Sequence, residues 1–304
     1  MITRRAFLAG TGSALAVAAC GSSSSSTTTG AAPPTTTTAA ARSGPPAKEV
    51  IGAGFANGYD APSVLIPGIA QRLPVVVFDE ADGTPVRDGG PETIDVSVLQ
   101  GTTIVATATL TKHALGIPTP YYPLTFTAPA AGEYEVRAAF SSSPLKFKVE
   151  TTDTVKLLQV GQPLRPVVTP TLKNARGVDP ICTRTPKACP FHTISLSDAI
   201  AAKKPIVFVI STPGFCQTAI CGPVLEMLVD AAPTLSRFQI VHAEVYVEPN
   251  KKTSGAPKTT EAVSTYGLEY EPTLFVADAG SIVQARLDFS WDRTELDAAL
   301  ALVA

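Results

Sequence analysis

A chain of 304 residues is long enough for two domains with complete cores, and its formal net charge of −2 with 45% hydrophobic residues suits a globular protein. No basic patch and no aromatic-rich basic run interrupts that balance, which excludes nucleic acid as a partner. Beyond the first twenty residues no stretch is long and apolar enough to be a membrane helix.

Residues 1–20 read as an address. Thr3-Arg4-Arg5-Ala6-Phe7-Leu8 is a twin-arginine pattern, and the apolar and small residues after it end in Val17-Ala18-Ala19-Cys20, too short to span a bilayer. Small residues directly before a cysteine resemble a lipoprotein signal. The resemblance implies lipidation of Cys20 after cleavage, contact with the lipid bilayer through it, and a lipid-anchored location on the extracytoplasmic face of the cell membrane. The twin arginines imply export of a folded chain; a plain secretory peptide or an uncleaved anchor is the blander reading. With Cys20 set aside, Cys182, Cys189, Cys216 and Cys221 remain, an even number that permits two disulfides in an exported protein. The local pairing, Cys182–Cys189 with Cys216–Cys221, is one of three connectivities.

Residues 21–49 are almost all Ser, Thr, Gly, Ala and Pro and cannot bury enough apolar area to offset their ordering entropy, so they read as a disordered linker. Residues 50–151 continue as strand after strand: 72–78, 93–99, 103–110, 122–127, 132–140 and 145–150, divided by turn residues such as Asp82-Gly83 and Gly89-Gly90-Pro91. Short Val-, Thr- and Ile-rich runs with such punctuation predict an antiparallel β-sandwich. Ala131-Gly132-Glu133-Tyr134 resembles a late strand of immunoglobulin-like domains, in which the tyrosine packs at a corner. His113 falls in a loop and reads as solvated. No chemistry shows in this region, so a spacer or partner-binding role is its expectation.

The third region, 152–304, opens with a Pro- and Val-rich connector expected to dock on the last domain. Then the period changes. Helices are predicted over 195–202, 223–235, 259–266 and 293–302, and strands over 205–210, 238–247, 273–277 and 282–287. Strands separated by helices, with a final hairpin at Asp278-Ala279-Gly280, predict a small α/β sheet covered by helices.

Cys216 and Cys221 stand between the 205–210 strand and the helix after it. A helix N-terminus favours negative charge, and the thiolate is the reactive form of cysteine. Their separation is informative: on a regular helix, residues five apart have Cα atoms roughly 8 Å apart, whereas a disulfide needs about 7 Å or less. Either Cys216 lies in the loop before the helix or the first turn unwinds on oxidation; Gly222-Pro223 favours the loop.

The element order, the cysteine pair after a strand, and Glu271-Pro272-Thr273-Leu274-Phe275-Val276 together resemble the thioredoxin-like superfamily over about residues 155–304. The resemblance implies a thiol–disulfide oxidoreductase with Cys216, Cys221 and Pro272 as its catalytic residues, no cofactor and no metal. Its partners would be exported protein thiols or disulfides or a membrane thiol reductant. It implies a cis Pro272 facing the sulfurs, with backbone left free to pair with a bound peptide. Four residues separate the cysteines where thioredoxins have two, which leaves open which thiol attacks; the reading leans to Cys216, with Cys221 resolving.

Two neighbouring families compete. Thr212-Pro213-Gly214-Phe215-Cys216 with Cys221 is similar to a peroxiredoxin motif, but Phe215 is inserted and the expected arginine is replaced by the Pro272 region, which disfavours a thiol peroxidase. Sco-type copper chaperones use two cysteines and a distant histidine, here His242, which falls in a strand. Cys182 and Cys189, in a Pro-rich loop, are expected to form a structural disulfide; an exchange relay with the other pair, or a zinc or copper site using His192, are sharper alternatives, and a spacing of seven matches no usual zinc pattern. The non-enzymatic alternative is an envelope binding protein with two structural disulfides.

Overall fold

The computed structural model describes residues 48–55, 61–216, 219–251 and 255–303. The expected signal, Cys20 and nearly all of the linker lie outside the described residues. Regular structure here is mostly strand, arranged in three sheets with few helices.

Seven strands come first: β1 (Glu49–Ala53), β2 (Ala70–Asp79), β3 (Thr93–Gln100), β4 (Thr103–Thr111), β5 (Tyr122–Thr127), β6 (Gly132–Ala138) and β7 (Leu145–Val149). They pair antiparallel as β1-β2-β5 and β4-β3-β6-β7. Alternation drives this: Leu145, Phe147 and Val149 of β7 point inward while Lys146 and Lys148 point out. Both sheets feed one core, with Leu73, Val75 and Leu124 from one and Val96, Val136 and Phe147 from the other. β1 is not among the predicted strands. Glu49-Val-Ile-Gly-Ala is too short to show a period, and pairing with β2 from Glu49↔Asp79 to Ala53↔Val75 makes it a strand.

The chain then runs without regular structure to α1 (Leu196–Ala201), and continues through β8 (Ile206–Ile210), α2 (Cys221–Ala231), β9 (Gln239–Ala243), α3 (Glu261–Tyr266), β10 (Thr273–Ala277), β11 (Val283–Asp288) and α4 (Arg293–Ala301). The sheet order is β11-β10-β8-β9, with β9 parallel to β8 and the other pairs antiparallel. Every residue of β8 and β10 is buried, as strands covered on both faces must be. Val207, Val209, Leu274 and Val276 pack on Val224, Leu225 and Leu228 of α2 and Leu296 and Leu300 of α4. Ile206, Phe208, Ile210 and Phe275 face the other way, onto α1, α3 and Leu157, Leu158, Leu164 and Val167 of the connector. The connector thus docks as expected, because its leucines replace a helix as cover for that face.

The bounds of α2 and β9 differ most from expectation. α2 starts at Cys221 and ends at Ala231, followed by a 3₁₀ turn over Ala232–Thr234. Pro223 is tolerated inside the first turn, where N–H groups have no helical partner, whereas Pro233 cannot continue the ladder. β9 stops at Ala243, and Glu244 turns to the loop beside it.

The first two sheets meet the third region through a polar seam. Arg72 of β2, largely buried, donates Nε and Nη2 to the Glu295 carboxylate of α4 at 2.8 and 2.6 Å, and Nη1 to the Asp288 carbonyl at 2.9 Å. Tyr121 Oη donates to Glu295 as well. His113 is not solvated: its Nδ1 lies 2.9 Å from Asp292 Oδ1, and Asp292 also caps α4 by accepting from Glu295 N–H. Phe55 adds apolar contact, its ring 4.9 Å from that of Tyr270 and 5.3 Å from that of Phe289.

Candidate functional site

The end of β8 delivers the chain into a turn tied down on three sides. Thr212 N–H donates to Glu271 Oε2 at 2.5 Å, Thr212 Oγ1 accepts from Val245 N–H at 2.9 Å, and Gly214 N–H donates to Thr183 Oγ1 at 2.9 Å. Phe215 N–H closes the turn on the Thr212 carbonyl at 3.1 Å. Cys216 comes directly after, still before the helix, and forms a disulfide with Cys221 at the first position of α2, Cα to Cα 5.9 Å. The loop alternative for the wide spacing is therefore the observed one. Cys216 is half-buried and Cys221 fully buried. Cys221 N–H points at Cys216 Sγ, 3.4 Å away, so an orphan donor of the helix N-terminus faces the more exposed sulfur.

Thr273 pairs with Ile210, which sets the start of β10 beside the end of β8. Glu271 and Pro272 therefore lie at the cysteine turn, and the Glu271–Pro272 peptide is cis. Glu271 Oε2 is 3.7 Å from Cys221 Sγ. Burial pushes the Glu271 carboxyl up to about 7, with Glu244 acting in the same sense, against the opposing hydrogen bond from Thr212 N–H and the pull of His242. One expectation needs correction: the Pro272 backbone is not free, because its carbonyl accepts Phe289 N–H at 2.8 Å and proline has no N–H to offer. A cavity of about 280 Å³ opens next to the pair, with Ala219 and Ile220 of the cysteine loop on one wall and Phe78, Tyr121 and Arg87 on another.

Cys182 and Cys189 do not form the expected disulfide. Both are free, buried thiols in a group with His192 and His242, whose ligand atoms all lie within 4.8 Å of one another. His242 Nδ1 is 3.4 Å from Cys189 Sγ, 3.7 Å from Cys182 Sγ and 3.2 Å from His192 Nε2. The physical reason is the position of His242 on β9. Its N–H donates to the Phe191 carbonyl at 3.1 Å, so the Cys182–His192 loop covers this sheet edge, and the imidazole Nδ1 lies beside both sulfurs. His242 consequently meets Cys182 and Cys189, not Cys216 and Cys221 as a Sco-type arrangement requires.

The loop is anchored further by Thr183, whose N–H and Oγ1 donate to Glu244 Oε1 at 2.5 and 3.0 Å, and by Arg184, whose Nε and Nη2 meet the two Glu226 oxygens of α2 at 2.6 and 2.7 Å. Burial pushes Glu244 up to about 7, against the favourable charge of His242 and the Thr183 hydrogen bonds. Hydrogen bonding from the Cys189 thiol, aided by both imidazoles, holds the Cys182 thiol below its usual range despite burial.

Three contributors were not among the sequence candidates: Glu271 as a partner of Cys221, and Thr183 and Glu244 as the link between the two cysteine groups. For Glu271 the one local signal is an acid directly before Pro272, at the mouth of an apolar strand. Searched against protein-family models and curated proteins, the chain matches none.

Proposed function

We propose that the chain is an extracytoplasmic thiol–disulfide oxidoreductase of thioredoxin-like fold, carrying an immunoglobulin-like sandwich and anchored by lipid at Cys20. The observation that carries this reading is the asymmetry of the Cys216–Cys221 disulfide. One sulfur is half-buried in a turn under a helix N-terminus; the other is fully buried against a carboxyl that titrates near neutrality. A structural staple requires neither feature.

Support for the fold comes from a four-stranded sheet with helices on both faces, the cysteine pair between β8 and α2, and Pro272 ahead of β10. Support for the sandwich comes from seven strands in two antiparallel sheets and from Tyr134, whose hydroxyl donates to the Ala130 carbonyl at 2.7 Å. A peroxidase is disfavoured further, since Thr212 is buried and accepts Val245 N–H.

In the oxidised state a thiolate of a protein dithiol attacks Cys216 Sγ. A Cys216–substrate bond forms, the Cys216–Cys221 bond breaks, and Cys221 leaves as a thiolate that takes the Glu271 proton. The second substrate thiol then attacks the substrate sulfur of the mixed disulfide and releases Cys216 as a thiolate facing Cys221 N–H. Two electrons move from the dithiol to the pair. One proton ends on Cys221, and the protons lost by the dithiol reprotonate Glu271 and pass to solvent. Run in reverse with an external dithiol, the same steps reduce exported disulfides.

The test combines a glutathione titration with mass-spectrometric thiol counting. A potential for Cys216–Cys221 between about −270 and −120 mV is expected, the range of working oxidoreductases; a value below about −300 mV, as for structural disulfides, would leave an envelope binding protein as the better reading. Cys221→Ser should trap a mixed disulfide on Cys216, and Cys216→Ser should trap none, because Cys221 is buried. Equal trapping by both variants would reject the assignment of Cys216 as the attacked sulfur.

A further inference from the structure

We infer that Cys182, Cys189, His192 and His242 form a closed tetrahedral zinc site, separate from the Cys216–Cys221 pair. Zinc takes thiolate sulfur at about 2.3 Å and imidazole nitrogen at about 2.0–2.1 Å. A regular tetrahedron of such ligands sets sulfur and nitrogen about 3.6 Å apart and the two nitrogens about 3.3 Å apart. The observed separations are 3.4 and 3.7 Å from His242 Nδ1 to the two sulfurs, and 3.2 Å from His242 Nδ1 to His192 Nε2. The separations from His242 Nδ1 match those one ion sets, and all four donors lie within 4.8 Å of one another.

The surroundings fit as well. His242 Nε2 lies 3.0 Å from the Ser211 carbonyl, so it carries the hydrogen and leaves the Nδ1 lone pair turned to the sulfurs, the tautomer a metal ligand requires. Cys189 N–H points at Cys182 Sγ from 3.4 Å, an interaction suited to a thiolate. His192, only 1% exposed, turns Nε2 into the group.

Charge selects the ion. Two thiolates and two neutral imidazoles cancel a divalent cation, and a buried site is cheapest when neutral. A monovalent copper ion would leave a net negative charge among residues that are at most 5% exposed. The mixed sulfur and nitrogen set in tetrahedral array suits zinc, and four protein ligands leave no open position for catalysis. The site would pin the Cys182–His192 loop to β9. Through Thr183 and its bond to Gly214 it would also hold the turn that presents Cys216.

Metal analysis of the full chain, then loading with Co²⁺ after chelation under reducing conditions, tests this. One zinc per chain is expected, and one equivalent of cobalt should give intense tetrahedral d–d bands with thiolate-to-cobalt charge transfer. The Cys216→Ser/Cys221→Ser double variant should keep both results, whatever becomes of the oxidoreductase reading, and His192→Ala should lose the tetrahedral spectrum. Removal of a buried imidazole can unfold the chain, so the unsubstituted protein decides. Reduced protein that gives weak octahedral cobalt bands without charge transfer, or a site that retains copper in place of zinc, would overturn the proposal.

Discussion

Glu271 is the residue on which the chemistry of the cysteine pair turns. Its carboxyl, pushed up to about 7, lies beside Cys221 with Thr212 N–H on one oxygen and with Glu244 and His242 as the charged groups that bear on it. Protonated, it donates to the departing Cys221 sulfur; ionised, it repels a thiolate there. Reduction of the disulfide by a small dithiol should therefore show an inflection near pH 7. In Glu271→Gln the inflection should vanish and the rate below about pH 7 should fall by roughly a hundredfold, the low end of general-acid contributions. An unchanged profile in the variant would remove Glu271 from the mechanism. Stability carries a matching signature. The folded chain holds this proton more tightly than the unfolded chain does, so the contribution of Glu271 is full below about 4.5, the ordinary value, and is lost as pH rises to about 7. Melting curves of Glu271→Gln should show a shallower loss of stability across that window, with Glu244 keeping its own share of the slope.

At the scale of elements, the β8–α2 connection is held by its neighbours more than by itself. α2 lacks a side-chain N-cap, since Ile220 has none to give. The turn before it depends on Thr183, which accepts Gly214 N–H and donates to Glu244. The contact is close: a Cβ on Gly214 would lie 3.0 Å from the Thr183 Cβ and 3.1 Å from its carbonyl oxygen, so a side chain there would push Thr183 back by a few tenths of an ångström. Thr183→Val keeps the volume and deletes the hydroxyl, leaving Gly214 N–H without its acceptor and Glu244 short of one donor. The expected cost is about 1–3 kcal/mol, read from urea midpoints, with faster amide exchange at Gly214 than at the β8 amides. Unchanged exchange at Gly214 would show that the loop does not hold the turn.

At the scale of the molecule, the seam between the first two sheets and α4 is built on a largely buried charge. Arg72 has a raised pKa: burial alone would lower it, and the Glu295 carboxylate outweighs that penalty. Taking away one member of such a pair strands the other, which makes breaking it costlier than never having had it. Arg72→Ala should therefore destabilise the chain by about 3 kcal/mol or more. Because Glu295 also binds Tyr121 and lies behind the Asp292 cap, the loss should uncouple the two regions. Calorimetry should then resolve two transitions where the unsubstituted chain shows one. A single transition at an unchanged temperature would show that the apolar contacts of Phe55 suffice to join the regions.

Residue pattern alone determined most of the strands, since inward alternation such as Leu145, Phe147, Val149 and continuous apolar runs such as 206–210 are local properties of the chain. It also singled out Cys216 and Cys221, because their place between a strand and a helix is written in adjacent residues. β1 was not legible, since a five-residue strand acquires its identity only from its partner. The end of β9 at Ala243 was likewise set from outside, by a loop that captures Glu244. The fate of Cys182 and Cys189 depended on His242, fifty residues beyond His192 and brought there by the parallel pairing of β9 with β8. Proximity in sequence suggested a disulfide between two thiols. Only tertiary structure could bring His242 beside both of them, because packing a sheet edge against a loop is a long-range event that no local spacing encodes.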